Sequence, residues 1–201
     1  MFYTVVKFIA RIIFAPFMIC KVIGKENIPK EGGFVLAINH KSNFDVILAA
    51  VSCPRPLHYM AKKELFNNKF TAWFFSKVNA FPVDRAGNDL KAVRTALSIL
   101  KDGNVLGIFP EGTRVKEGES VDAKAGVSMF AIRAKVPVVP AAIVGEYKFF
   151  SKLHMIFGEP IYLDEYYDAK PNGEQLLQIS AGILDKIKKM DEDTKKTLAK
   201  K

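Results

Sequence analysis

The 201-residue chain has only two cysteines, Cys20 and Cys53, one tryptophan and three histidines. Two cysteines at this length make no disulfide framework, and a reducing compartment is the simpler setting. His58 and His154 lack metal-ligand spacing and read as structural. No G-x-S-x-G, Walker A or H-E-x-x-H sequence occurs, which removes the main signs of a serine hydrolase, a P-loop nucleotide site and a zinc protease. There is no internal repeat and no low-complexity segment. Long uncharged runs are missing from the apolar amino terminus as well. Its longest, Ile12–Cys20, is far short of the roughly 20 residues a membrane-spanning helix needs.

Apolar content, in contrast, is high. At 49% hydrophobic, the chain can bury one sizeable core, and its 16 phenylalanines leave aromatics to spare. The net charge of +9 is concentrated at the ends. Residues 1–30 hold five basic groups and one acid, residues 186–201 seven and three, and the 155 between them eighteen and seventeen. A nucleic-acid binder would carry its basic stripe on the folded body, so no nucleic-acid partner is expected. Basic ends beside an apolar segment suit an anionic membrane surface, with plain solubility as the alternative.

The amino-terminal "MFYTVVKFIARIIFAPFMICKVIG" predicts an amphipathic helix. Lys7 and Arg11, four apart, share one face, and Phe2, Val5, Val6, Ile9, Ile12 and Ile13 lie largely away from them. Pro16 breaks or kinks it. Inserting each charge centrally would cost about 2.5–3.5 kcal/mol, so lying in the interface is easier than spanning. The segment lacks a basic start and an A-x-A cleavage site, so it reads poorly as a signal peptide. Packing on the protein's own core is the alternative. The expected organisation is membrane-anchoring helices over 1–24, one domain over 25–190 and a polar basic tail over 191–201.

Strands and helices then alternate. "GGFVLAINH", "LHYMAK", "NAFPVDR", "NVLGIF", "VPVVPAAIVG" and "HMIFGEPIYL" read as strands. "SNFDVILAAVS", "ELFNNKFTAWFFSKV", "DLKAVRTALSILKDG", "KAGVSMFAIRAK" and "EQLLQISAGILDKIKKM" read as helices. That order predicts an α/β single domain with a central, mostly parallel sheet flanked by helices.

Two stretches carry chemistry. In "NHKSNFD", His40 precedes Asp45 by five positions. Three histidines and ten aspartates produce such a spacing by chance about 15% of the time, so the spacing alone is weak. On a regular helix five residues turn a side chain by about 140° net, which would part the two. They meet only if His40 lies in a loop and Asp45 in the first helical turn. Ser42 as N-cap with Asp45 three residues on supplies that arrangement. The pair reads either as a general base with its carboxylate or as a capping box beside a histidine. The second stretch, "FPEGTR", places Glu111, Gly112, Thr113 and Arg114 at the carboxyl end of a buried strand, where α/β sheets bind ligands. A glycine turn with an arginine fork suits a phosphate. "FPVDR" repeats the pattern and ends on Arg85.

These blocks, in this order, resemble the glycerolipid acyltransferases, and within them the branch that converts lysophosphatidic acid to phosphatidic acid. "NHKSNFD" is similar to that family's N-H-x-S-x-x-D block, "FPVDR" to F-x-x-R, and "FPEGTR" and "VPVVPAAI" to its third and fourth blocks. "MAKKELF" resembles its lysine-bearing strand-to-helix junction. The likeness covers about Gly32–Ile161.

The resemblance implies a glycerol-3-phosphate acyltransferase-like fold and direct acyl transfer from acyl-CoA or acyl-carrier protein, with no metal and no cofactor. It implies His40 as general base and Asp45 as its orienting carboxylate. Arg85, Glu111, Gly112, Thr113 and Arg114 become the acceptor's phosphate site, with Glu111 orienting an arginine. Lys62 adds charge or oxyanion support, and Val136, Pro137 and Pro140 wall the acyl site. The expected partners are membrane phospholipids, lysophosphatidic acid and the acyl donor. The expected place is the cytoplasmic face of the cell membrane, peripheral or monotopic. Another lysophospholipid or glycerol-3-phosphate as acceptor, and a non-catalytic lipid-binding protein, are the competing readings.

Overall fold

The structure, a computed structural model, describes residues 2–15, 19–84, 87, 89–115, 119, 121–149 and 151–199. The "FVLAI" run forms strand β2 (Phe34–Ile38), every residue of which is buried. Only a strand covered on both faces can be apolar throughout. Phe34, Leu36 and Ile38 point into one hydrophobic cluster and Val35 and Ala37 into another, following the two-residue pleat.

Around β2 lie β3 (Leu57–Lys62), β4 (Ala80–Val83), β5 (Val105–Ile108), β6 (Val138–Val144) and β7 (Lys152–Phe157). With β1 (Ile19–Ile23) they form one seven-stranded sheet in the order β1-β7-β6-β2-β5-β3-β4. Five neighbouring strands, β6 to β4 across the sheet, are parallel. The β6–β7 pairing is antiparallel, and β1 runs parallel to β7. Helix α2 (Asp45–Ser52) contributes to the first cluster, with Phe14 of α1 (Phe2–Phe14) packed against it. Helices α4 (Leu90–Lys101), α5 (Gly126–Ala134) and α6 (Gly173–Ala199) contribute to the second. The α/β class and mostly parallel sheet expected from the alternation are therefore present. At the amino-terminal edge, the Arg55 guanidinium donates to the carbonyls of Pro29, Gly32 and Gly103 and lies 5.4 Å above the Phe34 ring.

Several boundaries differ from the sequence reading. The expected anchor over 1–24 contains β1, a strand of the sheet whose alternate residues Cys20 and Val22 pack on the core. Its period-two pattern is only five residues long and was hidden inside a longer apolar run. The expected tail over 191–201 is helical through Ala199, because α6 continues past the core and Asp191 bridges to Lys41 and Lys195. The predicted helix over 64–78 splits into a 3-10 turn at Lys63–Phe66 and α3 (Lys69–Lys77), where the Asn68 side chain caps Phe70 N–H at 2.8 Å. Strand β7 stops at Phe157, and after Gly158–Pro160 the chain pairs again with β6 through the isolated Val138–Ile161 bridge.

The charges of α1 are also placed differently. Lys7 turns toward the body and donates to the Cys53 carbonyl at 2.6 Å, at the end of α2 where a cation is favourable. The Tyr3 hydroxyl accepts from Leu57 N–H at 3.1 Å. The docked face is thus the one carrying Lys7, Tyr3 and Phe14. Val5, Phe8, Ile9, Ile12 and Ile13 are exposed, and α1 has no buried residue. Among the described residues, no helix is long and apolar enough to cross a membrane.

Candidate active site

The carboxyl ends of β2, β5 and β6 are adjacent. Asn39, next after β2, is 7% exposed and continues the ladder with its side chain. Its Oδ1 accepts from Ile143 N–H at 2.7 Å and its Nδ2 donates to the Ile143 carbonyl at 3.1 Å. The amide imitates a peptide unit and delivers His40 onto the sheet edge. There Nδ1 of His40 lies 2.9 Å from Oδ2 of Asp45. A carboxylate in its ionised form only accepts, so Nδ1 carries the shared proton and Nε2 is left for a substrate. The ring is further fixed by stacking on Phe109 at 4.0 Å and 21°.

Asp45 is fully buried, whereas the His40 side chain is 16% exposed. Oδ2 of Asp45 also accepts from Lys41 N–H at 2.6 Å and Ser42 N–H at 2.7 Å. Its Oδ1 accepts from the Tyr147 hydroxyl at 2.6 Å. The expected capping box is shifted. Helix α2 begins at Asp45 with Phe44, not Ser42, as its cap, and Ser42 Oγ accepts from Phe44 N–H at 3.3 Å. The half of the box that runs from the carboxylate back to Ser42 N–H is present. One oxygen, Oδ2, thus serves both cap and histidine.

"FPEGTR" lies against this pair. The His40 carbonyl accepts from Val115 N–H at 2.8 Å, closing the 111–115 loop over the end of β2. Gly112 sits at φ 67°, where an added Cβ would lie 3.1 Å from the Lys124 side chain. Thr113 and Arg114 are exposed at the edge. Glu111 is 6% exposed, and its Oε2 has no hydrogen-bond partner among the described residues. Among the described residues no arginine pairs with Oε2.

Burial pushes the Glu111 carboxyl above its ordinary value, against smaller opposing contributions from backbone N–H groups and His40. A raised folded-state value means the carboxylate costs stability as pH climbs past its unfolded value of about 4.3. Glu111→Gln should therefore gain Tm relative to wild type between pH 4 and pH 8. An unchanged difference between the two would contradict the buried charge.

Lys62 ends β3 and is exposed, level with Asn39 by the sheet register but two strands away. None of the described hydrogen bonds or ion pairs joins it to the histidine. Arg85 lies outside the described residues. Val136 and Pro137 belong to the opposite edge: the Pro137 carbonyl accepts from Val35 N–H at 3.0 Å, about 16 Å of extended chain before His40. Pro140 is buried in β6 opposite Ala37. These three residues, expected to wall the acyl site, thus lie below the edge that carries His40. Among the described residues no cluster of His, Cys, Asp or Glu could hold a metal ion. His58 contacts the Val105 carbonyl at 3.3 Å and His154 is buried in β7, so neither joins the site.

Sequence reasoning passed over Asn39, Phe109 and Tyr147 as working residues. A signal existed for the last, since "VPVVPAAIVGEY" ends a buried strand at the same edge. Nothing local says which polar residue there turns inward.

A histidine backed by a buried carboxylate on a strand edge of an α/β fold has the geometry that general-base chemistry requires. Residues 19–144 match the Acyltransferase family, and the chain belongs to that family of O-acyltransferases. It is 39% identical over 177 residues to the 1-acyl-sn-glycerol-3-phosphate acyltransferase of Bacillus subtilis, covering 85% of this chain and 87% of that protein. It is 30% identical over 178 residues to the enzyme of the same name from Streptococcus pneumoniae, covering 85% of this chain and 65% of that one. The crystal structure of the 1-acyl-sn-glycerophosphate acyltransferase PlsC from Thermotoga maritima superimposes with a TM-score of 0.74 at 25% identity. That match covers 95% of this chain and 79% of that one.

Proposed function

We propose that this protein transfers a fatty acyl group from an acyl-CoA or acyl-carrier-protein thioester to the sn-2 hydroxyl of 1-acyl-sn-glycerol-3-phosphate, giving phosphatidic acid. The observation that carries this is the 2.9 Å contact of His40 Nδ1 with the buried Asp45 carboxylate beside the Arg114 turn. The names of the relatives above support the acceptor.

In this reading Nε2 of His40 takes the proton of the acceptor hydroxyl as its oxygen attacks the thioester carbonyl. Asp45 stabilises the imidazolium that forms. The tetrahedral intermediate then expels the thiolate, which receives the proton from Nε2. The substrate's own hydroxyl is the nucleophile, so no acyl-enzyme forms, and neither metal nor cofactor enters a step. Arg114 and Arg85 hold the phosphate, with Glu111, Gly112 and Thr113 shaping the turn. Lys62 adds positive charge to the same edge.

Binding at the cytoplasmic face of the membrane, in peripheral or monotopic form, completes the reading. The outward face of α1 is apolar, and Trp73 and Phe70 of α3 extend it, with Phe2 and Trp73 in contact at 5.2 Å. An apolar face of this kind lies in an interface rather than in water. A lysophospholipid would reach the cleft from the bilayer while its acyl donor arrives from solution.

The test is acyl transfer with detergent-solubilised protein, labelled acyl-CoA or acyl-carrier protein, and a panel of acceptors. Lysophosphatidate should be preferred over glycerol-3-phosphate, other lysophospholipids and monoacylglycerol. Arg114→Ala should raise the KM for lysophosphatidate about 10-fold, the loss of one charge-assisted contact, and narrow its advantage over monoacylglycerol. Equal use of unphosphorylated acceptors by the wild type would sink the phosphate assignment.

A further inference from the structure

The contacts to the Asp45 carboxylate are unequal. Oδ2 gathers three N–H donors, from His40, Lys41 and Ser42. Oδ1 takes the Tyr147 hydroxyl, 102 residues away in sequence. The last torsion of an aspartate is soft and broadly populated. Donors that converge on one oxygen hold that oxygen, yet leave the carboxylate plane free to swing about it. A second hold, on the other oxygen, removes that freedom. We infer that Tyr147 is a positioning residue for acyl transfer, whose hydroxyl pins Oδ1 of Asp45 and so sets the line along which Oδ2 meets His40. This rests on the general-base reading of His40 and Asp45.

The surroundings of Tyr147 are built to aim its hydroxyl. It lies on the turn between β6 and β7. Gly145 opens that turn at φ 105°, a backbone region that disfavours side chains, and an added Cβ there would lie 2.8 Å from the Lys152 carbonyl. Ser151 Oγ closes the turn by donating to the Glu146 carbonyl and accepting from Lys148 N–H. The Tyr147 ring packs on the core and meets Phe44 at 5.7 Å, and Phe44 meets Phe14 of α1 at 5.6 Å. The outer wall of the histidine–aspartate pair is therefore continuous with the amino-terminal helix. Burial and the neighbouring Asp45 charge both raise the Tyr147 hydroxyl above its ordinary value, so it stays protonated and remains a donor.

A tyrosine held only for packing would be indifferent to loss of its hydroxyl. Tyr147→Phe keeps the ring and removes only that atom. It should lower kcat about 10-fold and leave the KM for both acceptor and acyl donor within about twofold, with Tm lowered by a few degrees for the one buried hydrogen bond that Oδ1 loses. Change of less than twofold in kcat, or a matching rise in KM, would overturn the inference. His40→Ala is measured alongside. If that variant keeps its rate, the general-base reading itself fails. If it is inactive while Tyr147→Phe is fully active, only the role of Tyr147 fails.

Discussion

Replacing His40 by alanine should cut kcat by at least ~10²-fold while the folded structure survives, because a positioned general base contributes about 10²–10⁴-fold to a proton-transfer step. The separation of the two effects follows from the contacts. The described hydrogen bond of the His40 ring is to Asp45, and that carboxylate keeps two backbone N–H donors and the Tyr147 hydroxyl when the ring is removed. No buried charge is orphaned. The stack on Phe109 is lost, at a cost of about 1 kcal/mol. Single-turnover acyl transfer together with thermal melting checks this. A His40→Ala protein that works at near wild-type rate would remove the mechanism, whatever the family.

Asp45 should give a different pair of results for its two obvious substitutions. Asp45→Asn nearly preserves shape. Its carbonyl oxygen can take the three N–H donors at the Oδ2 position, and its amide can donate to the Tyr147 oxygen. The charge that stabilises the imidazolium is gone, so kcat should fall by at least ~10²-fold with a small change in Tm. Asp45→Ala leaves the Lys41 and Ser42 N–H groups and the Tyr147 hydroxyl without their acceptor at a site with no exposure. Leaving a buried donor unsatisfied costs about 1–3 kcal/mol, so this variant should lose both activity and several degrees or more of Tm. Chemical denaturation separates the two. Equal stability of the Asn and Ala variants would mean that the carboxylate is not the hub these distances describe.

Much of the architecture was legible from pattern. The alternation of buried strands with amphipathic helices is a local property, and it led to the observed α/β sheet. The errors came where local pattern was ambiguous. "ICKVI" is short enough to vanish within an apolar run, although its period-two packing makes it a sheet strand. Lys7 read as the water-facing side of an amphipathic helix, because a charge usually prefers solvent. A carbonyl at the end of α2 offered it a partner, and the apolar side was left outside instead.

The candidate site divides in the same way. The amino-acid sequence by itself determined which groups could do chemistry: a histidine and an aspartate at a spacing that demands a loop-to-helix junction, and arginines after strand ends. It also restricted the junction, since only a backward-reaching Asp45 lets the two side chains meet. Tertiary structure alone decided what surrounds them. It brought Ile143 against Asn39, Phe109 beneath His40 and Tyr147 onto Asp45, through contacts spanning up to 104 residues. It also sent Val136 and Pro137 to the far edge of the sheet. The physical reason is that hydrogen bonds and ring stacking are satisfied by whatever the sheet order places within reach. Strand order is set by the burial of both faces together, not by any one stretch of chain.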